Sequence, residues 1–147
     1  MKIKIIIPIC LLLTNIAAQA TDSLLQGRWT VMQVTIEKNI DGKIQTTVYN
    51  TAVDVQSHIP CLQELEINVQ NIVLHYPNGR EETTEYTFED DQLTIYGAME
   101  KQTYRYDIKD GNLTLTANYD YVNNNLPAKQ TEYITEKRII TLKNENK

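Results

Sequence analysis

The chain has 147 residues, with 14 Lys and Arg against 19 Asp and Glu and a net charge of −5. That length suits a single domain able to bury a core without staples. The acidic balance, with basic residues scattered rather than clustered, excludes nucleic acid and anionic membrane surfaces as main partners.

Residues 1–20 read as an export signal. Lys2 and Lys4 supply the positive start, Ile5 to Leu13 the apolar stretch, and Ala18-Gln19-Ala20 the small residues before cleavage at Thr21. The apolar run is far shorter than the ~20 residues a membrane-spanning helix needs. The expected mature chain is therefore 21–147, periplasmic or secreted and not membrane-spanning. Cleavage removes two lysines and no acid, which moves the net charge from −5 to −7. Cys61 is then the sole cysteine, so no internal disulfide is available, and its simplest role is that of a small buried apolar residue.

Beyond the signal the dominant period is two. Trp29 to Glu37 is the first strand, with Met32, Val34 and Ile36 expected on one face. Asn39-Ile40-Asp41-Gly42 turns the chain, Asp-Gly being the strong signal, and Lys43 to Tyr49 returns as a second strand. Residues 50–61, which contain Pro60, are expected as a loop or short helix. Leu65-Ile67-Val69 and Ile72-Leu74-Tyr76 alternate next, and Pro77-Asn78-Gly79 marks a hairpin. Tyr86 and Phe88, then Leu93 and Ile95, then Tyr104, Tyr106 and Ile108, share an inward phase across three successive strands. Asp110-Gly111 turns into Leu113, Leu115 and Ala117. Tyr119 to Pro127 is expected as an Asn-rich loop, and Gln130 to Leu142 as the last strand.

Eight or nine short strands at hairpin spacing, with no long helix, predict an all-β fold: a single antiparallel up-and-down β-barrel. Leu25, Gly27 and Trp29 at its start, the Tyr104-Arg105-Tyr106-Asp107-Ile108 and Asn112-Leu113-Thr114-Leu115 rhythm, and Arg138 near its end resemble a lipocalin-like, calycin-type domain of exported bacterial proteins. The resemblance covers about residues 24–143. It implies that Trp29 closes one end of the barrel and that Arg138 crosses the indole face, a structural seal worth about 0.5–2 kcal/mol as a cation–π contact.

Catalytic signals are weak. His58 and His75 are the only histidines, and His58 with Cys61 makes a lone His-x-x-Cys pair, too few ligands for a metal site. Glu81-Glu82 and Glu89-Asp90-Asp91 read as solvated turn and strand faces. No nucleophile, phosphate-loop or dinucleotide motif occurs. The chain is thus expected to be no enzyme and to need no cofactor or metal. Its functional hint is the aromatic set. Tyr86, Phe88, Ile95, Tyr104 and Tyr106 would form one continuous wall, with 50–61 and 120–128 over the mouth. An eight-stranded barrel is wide enough for either a ligand cavity or a filled core. Two readings follow: a carrier of a small apolar or amphipathic ligand, and a solid barrel that acts as an envelope interaction or inhibitor protein.

Overall fold

A computed structural model of the protein describes residues 24–50, 62–98, 100–123 and 131–145. The expected signal at 1–20, the segment 51–61 with His58 and Cys61, and residues 124–130 lie outside the described residues.

The described chain is all-β. In order the strands are β1 (Gly27–Ile40), β2 (Lys43–Tyr49), β3 (Glu64–Ile67), β4 (Ile72–His75), β5 (Glu81–Glu89), β6 (Gln92–Tyr96), β7 (Lys101–Lys109), β8 (Asn112–Asn123) and β9 (Glu132–Asn144). Every neighbour is antiparallel, and β1 pairs with β9, so β1 and β3 to β9 close an eight-stranded up-and-down barrel with β2 as one extra strand. Closure pairs β1 with β9 and leaves the outer edge of β2 as an edge of the sheet.

Local chemistry sets the hairpins. The two-residue turns Asp41-Gly42 and Asp110-Gly111 hold both central residues at positive φ, 50° and 81° in the first and 53° and 78° in the second. Aspartate tolerates that region and glycine occupies it without a Cβ clash, and the resulting turn matches the twist of the flanking strands. Period-two alternation then buries Leu65 and Ile67, Ile72 and Leu74, Leu93 and Ile95, and Leu113, Leu115 and Ala117.

The first strand departs from simple alternation. Its register against β9 shifts between Val31 and Gln33, a β-bulge. Trp29 and Val31 are buried, Met32 and Gln33 are both exposed, and Val34 and Ile36 are buried again. Met32, expected beside Val34 and Ile36, therefore points outward, because the extra residue resets the phase. The tail of β8 also differs from expectation. Tyr119 to Asn123 is strand, paired from Tyr119 with Glu136 to Asn123 with Glu132, because the long β9 offers a complete ladder of partners.

Strand lengths make the barrel lopsided. β1, β8 and β9 have 14, 12 and 13 residues, while β3 and β4 have four each. On one side of β1, β3 covers Gly27–Thr30 and β2 takes over from Val34 to Ile40. The sheet β2-β1-β9-β8 thus rises above the rim as a tall back wall.

Candidate functional site

One end of the barrel is closed by packing. Trp29 is 1% exposed and donates its indole N–H to the Leu25 carbonyl at 2.8 Å. Below the middle of the barrel an aromatic plug fills the interior. Phe88 lies edge-on to Tyr86 at 5.1 Å and to Tyr106 at 5.4 Å between ring centroids, the geometry that ring quadrupoles favour. The Tyr86 hydroxyl donates to the Asn68 carbonyl at 2.5 Å, and the Tyr106 hydroxyl to the Asp90 carbonyl at 3.2 Å, tying the plug to the turns at that end.

The other end opens into a cavity of about 550 Å³. Buried Val34, Leu62, Leu74, Ile95 and Ile140 form an apolar floor. Tyr76, Tyr104, Tyr119, Gln102, Arg80, Glu82, Glu100 and Arg138 rise around it. The five expected wall residues therefore separate. Ile95 and Tyr104 line the cavity, whereas Tyr86, Phe88 and Tyr106 belong to the plug. Inward positions two residues apart lie about 7 Å apart along a strand, so residues that share a face can serve different heights. At cavity height β5 presents Glu82, and β7 presents Gln102 and Tyr104.

The Trp29–Arg138 contact is absent. Across β1, Asn144 faces Trp29 and Arg138 faces Ile36, which puts the two positions about 20 Å apart along β9. Trp29 is buried at the closed end, far from Arg138. Arg138 does cover an aromatic ring, but that of Tyr119, with its guanidinium carbon 4.3 Å from the centroid. This places the cation at the mouth.

Two ion-pair networks flank the cavity. On the back wall Glu136 is 1% exposed. It accepts hydrogen bonds from Arg138 Nε and, at 2.9 Å, from the Tyr121 hydroxyl, and Lys38 Nζ lies 3.5 Å away. Burial alone would raise its carboxyl, but the bonds from Arg138 and Tyr121 and the two cationic charges outweigh that and hold it below the usual range. On the front wall the Ala98 N–H donates to Glu82 Oε1 at 2.6 Å, and Arg80 donates to Oε2 at 2.9 Å. The backbone bond is the main reason that Glu82 sits low. Gly97 permits this approach, since a Cβ there would lie 3.3 Å from Glu82 Oε1 and 3.1 Å from the Glu100 carbonyl. Arg80 stacks over the Tyr76 ring at 4.9 Å, and burial pushes the Tyr76 and Tyr119 hydroxyls up.

Glu82 is the correction to the solvated reading of Glu81-Glu82. Glu81 points outward and is exposed, while Glu82 points into the cavity with 14% of its side chain exposed. The alternation that faces Tyr86 and Phe88 inward also carries Glu82, but a charged residue next to a turn gave no sign of burial. Glu136 was missed for the same reason: its partners Lys38, Tyr121 and Arg138 come from three different strands.

The cavity wall is incomplete on one side. β7 and β8 are paired from Arg105–Thr116 to Lys109–Asn112. Above that, Lys101–Tyr104 pairs with β6 and Ala117–Asn123 with β9, and no ladder joins the two segments among the described residues. The barrel is therefore slotted beside Gln102, Tyr104 and Tyr119.

A second constellation lies on the outer surface. His75 Nδ1 is 3.0 Å from Glu81, its Nε2 is 3.6 Å from Glu64 and 4.0 Å from Glu66, and Arg28 holds Glu64 at 2.5 Å. His75 is only 18% exposed, less open than a simple solvent-facing strand histidine. Among the described residues no group of three or more His, Cys, Asp or Glu is placed to hold a metal ion, and no helix is long and apolar enough to cross a membrane.

No family model, curated protein or solved structure matches the chain significantly.

Proposed function

We propose that the protein is a non-enzymatic, exported barrel of lipocalin-like type that holds a small apolar or amphipathic molecule in the cavity at its mouth. The observation that carries this reading is the cavity itself: about 550 Å³, lined by five buried aliphatic residues together with tyrosine, amide and ion-paired side chains. That volume lies within the 300–1,000 Å³ typical of small-molecule sites, and an apolar base with a few polar groups is their usual lining. The closed up-and-down topology supports the calycin-type assignment, and the lysine-started leader supports export.

Titration with an apolar fluorescent probe tests the function. Binding with a micromolar Kd, roughly −8 kcal/mol, is expected, and Ile95→Glu should abolish it by placing an unpaired charge on the floor. A Tyr104→Trp variant reports occupancy from the wall. If the probe leaves the spectrum unchanged, and the protein purified from its source shows no adduct by native mass spectrometry, the carrier reading fails. N-terminal sequencing checks export, with Thr21 as the expected first residue.

The interaction-protein reading keeps one supporting observation. Lys43–Val48 of β2 is exposed throughout, and β2 pairs only with β1 among the described strands. Such an edge is able to accept a partner's strand.

A further inference from the structure

We infer that the outer edge of β2 pairs with the same edge of a second copy of this chain, joining two barrels through one antiparallel sheet centred on Thr46. The inference goes beyond the binding role proposed above and is independent of it, because no β2 residue lines the cavity.

The first hairpin fixes which backbone groups are available. Ile40 and Lys43 flank the two-residue Asp41-Gly42 turn and stand opposite each other, so Lys43 directs its N–H and C=O toward β1. In an antiparallel ladder that direction alternates along the strand. Gln45 and Thr47, opposite Lys38 and Ile36, therefore bond β1 as well. Ile44, Thr46 and Val48 aim their N–H and C=O groups the other way, and no strand pairs with that side among the described residues. Lys43–Val48 is exposed throughout. The strand has no proline, its register on β1 is regular, and its one charge, Lys43, sits at the turn end. Little blunts this edge against another strand.

The occupant follows from the strand set against itself. Placed antiparallel about Thr46, the run Lys43-Ile44-Gln45-Thr46-Thr47-Val48-Tyr49 sets Ile44 opposite Val48, Gln45 opposite Thr47, and Thr46 opposite its twin. Every outward-aimed donor and acceptor then meets another, in a ladder of about six hydrogen bonds. Centring the pair on Ile44 or Val48 instead would match only one end of the strand. The side chains agree with the backbone. Ile44 and Val48 are 72% and 51% exposed, and both share a face with Thr46. The two-fold sets each against the other, a cross-strand pair of β-branched residues. Lys43 falls opposite Tyr49, so no like charges face each other. The barrel bodies are also kept apart. β3 lies level with Gly27–Thr30, beyond the Tyr49 end of β2, and the two-fold puts the partner's β3 beyond the opposite end. An edge contact of this length is small, which makes the dimer a reversible one.

Sedimentation equilibrium of the mature chain tests the pairing, with a monomer–dimer equilibrium of micromolar Kd expected. Thr46→Lys should weaken it at least about tenfold, because it sets two ammonium groups face to face on the two-fold. Its neighbour on β1 is Glu37, so the single barrel should keep its circular dichroism and Trp29 fluorescence. Amide exchange reads the register. Raising the concentration should slow exchange at Ile44, Thr46 and Val48, while Gln45 and Thr47 are protected at every concentration. An equimolar mixture of Ile44→Lys and Val48→Glu should associate at least about tenfold more tightly than either variant alone, since residue 44 of one copy then meets an opposite charge at residue 48 of the other. That mixture decides the matter even where Thr46→Lys fails to fold. A chain that stays monomeric up to roughly millimolar concentration overturns the inference. So does a dimer that a folded Thr46→Lys variant leaves intact, a mixture no tighter than its components, or unchanged exchange at the three edge amides. Protection of those amides only on adding an unrelated extended peptide, with the chain itself monomeric, overturns it too and gives the edge to a foreign strand. None of these results alters probe binding in the cavity, so the carrier reading stands or falls separately.

Discussion

The closed end and the mouth of this barrel are lined by the same alternating strands, yet they are built from different chemistry. Toward the closed end, Trp29, Tyr86, Phe88, Leu113 and Leu142 pack on one another, and the polar tips of the aromatics are tied to backbone carbonyls of nearby residues. At the mouth, the inward positions of the same strands carry Glu82, Gln102, Glu136 and Arg138, and they stay inside because each charge has found an opposite one or a fixed donor. The comparison teaches that height along the axis, rather than inward orientation, divides stability from recognition here. Large apolar side chains fill the closed end, and the ion pairs Arg80–Glu82 and Arg138–Glu136 stand at the mouth.

The strongest way to break the comparison is at the closed end. Trp29→Ala should cost about 3–5 kcal/mol in urea unfolding, the usual penalty for emptying a large buried aromatic site. A cost below 1 kcal/mol would mean that this end is not the packed one.

The mouth answers to charge instead. Glu136→Ala strands the Arg138 and Lys38 cations. Both partners are partly exposed, 24% and 40% by side chain, so the loss should fall near 2 kcal/mol, below the 3–5 typical of fully buried pairs. Acid should act in the same place. The folded-state values of Glu136 and Glu82 lie below the usual carboxylate value of 4.5. Their ionised forms therefore add stability that is complete above that value and is lost as pH falls through the folded values. The melting temperature should drop through that acidic window, and Glu136→Gln should flatten part of the slope. A variant as acid-sensitive as the native protein would detach this carboxylate from the network.

A smaller effect sharpens the boundary between plug and cavity. Tyr86→Phe removes the donor to the Asn68 carbonyl and should cost about 1 kcal/mol, with probe affinity unchanged because the ring stays beneath the floor. A fall in affinity would move Tyr86 into the binding site. The smallest expected quantity is a coupling. Trp29→Ala and Arg138→Ala should add within about 0.5 kcal/mol in a double-mutant cycle, as distant sites do. Marked non-additivity would restore the direct contact that the strand register separates.

Much of the fold was legible in the chain. Asp41-Gly42 and Asp110-Gly111 announced their hairpins through local φ requirements, and Lys43–Tyr49 emerges with the bounds read from its alternation. The site was legible only in part. Ile95 and Tyr104 line the cavity, whereas Tyr86, Phe88 and Tyr106 lie below it; Arg138, expected over Trp29, stands at the mouth instead, and Glu82 was hidden in what looked like a solvated acidic run.

What the sequence by itself determined is what neighbours along the chain decide: strand phase, turn type, the absence of long helices among the described segments, and the acidic balance. Each follows from interactions within a few residues, which a period of two or an Asp-Gly pair reports directly. The tertiary structure alone decided which strands meet, where the bulge at Met32 resets the first strand, and how high each inward residue stands. It paired Arg138 with Glu136 and Tyr119 instead of Trp29, and Glu82 with Ala98. Closing the ring sets the stagger between strands, and that stagger is a property of all eight together. The burial of a charge depends on partners that closure brings from other strands, so no stretch of sequence carries it alone.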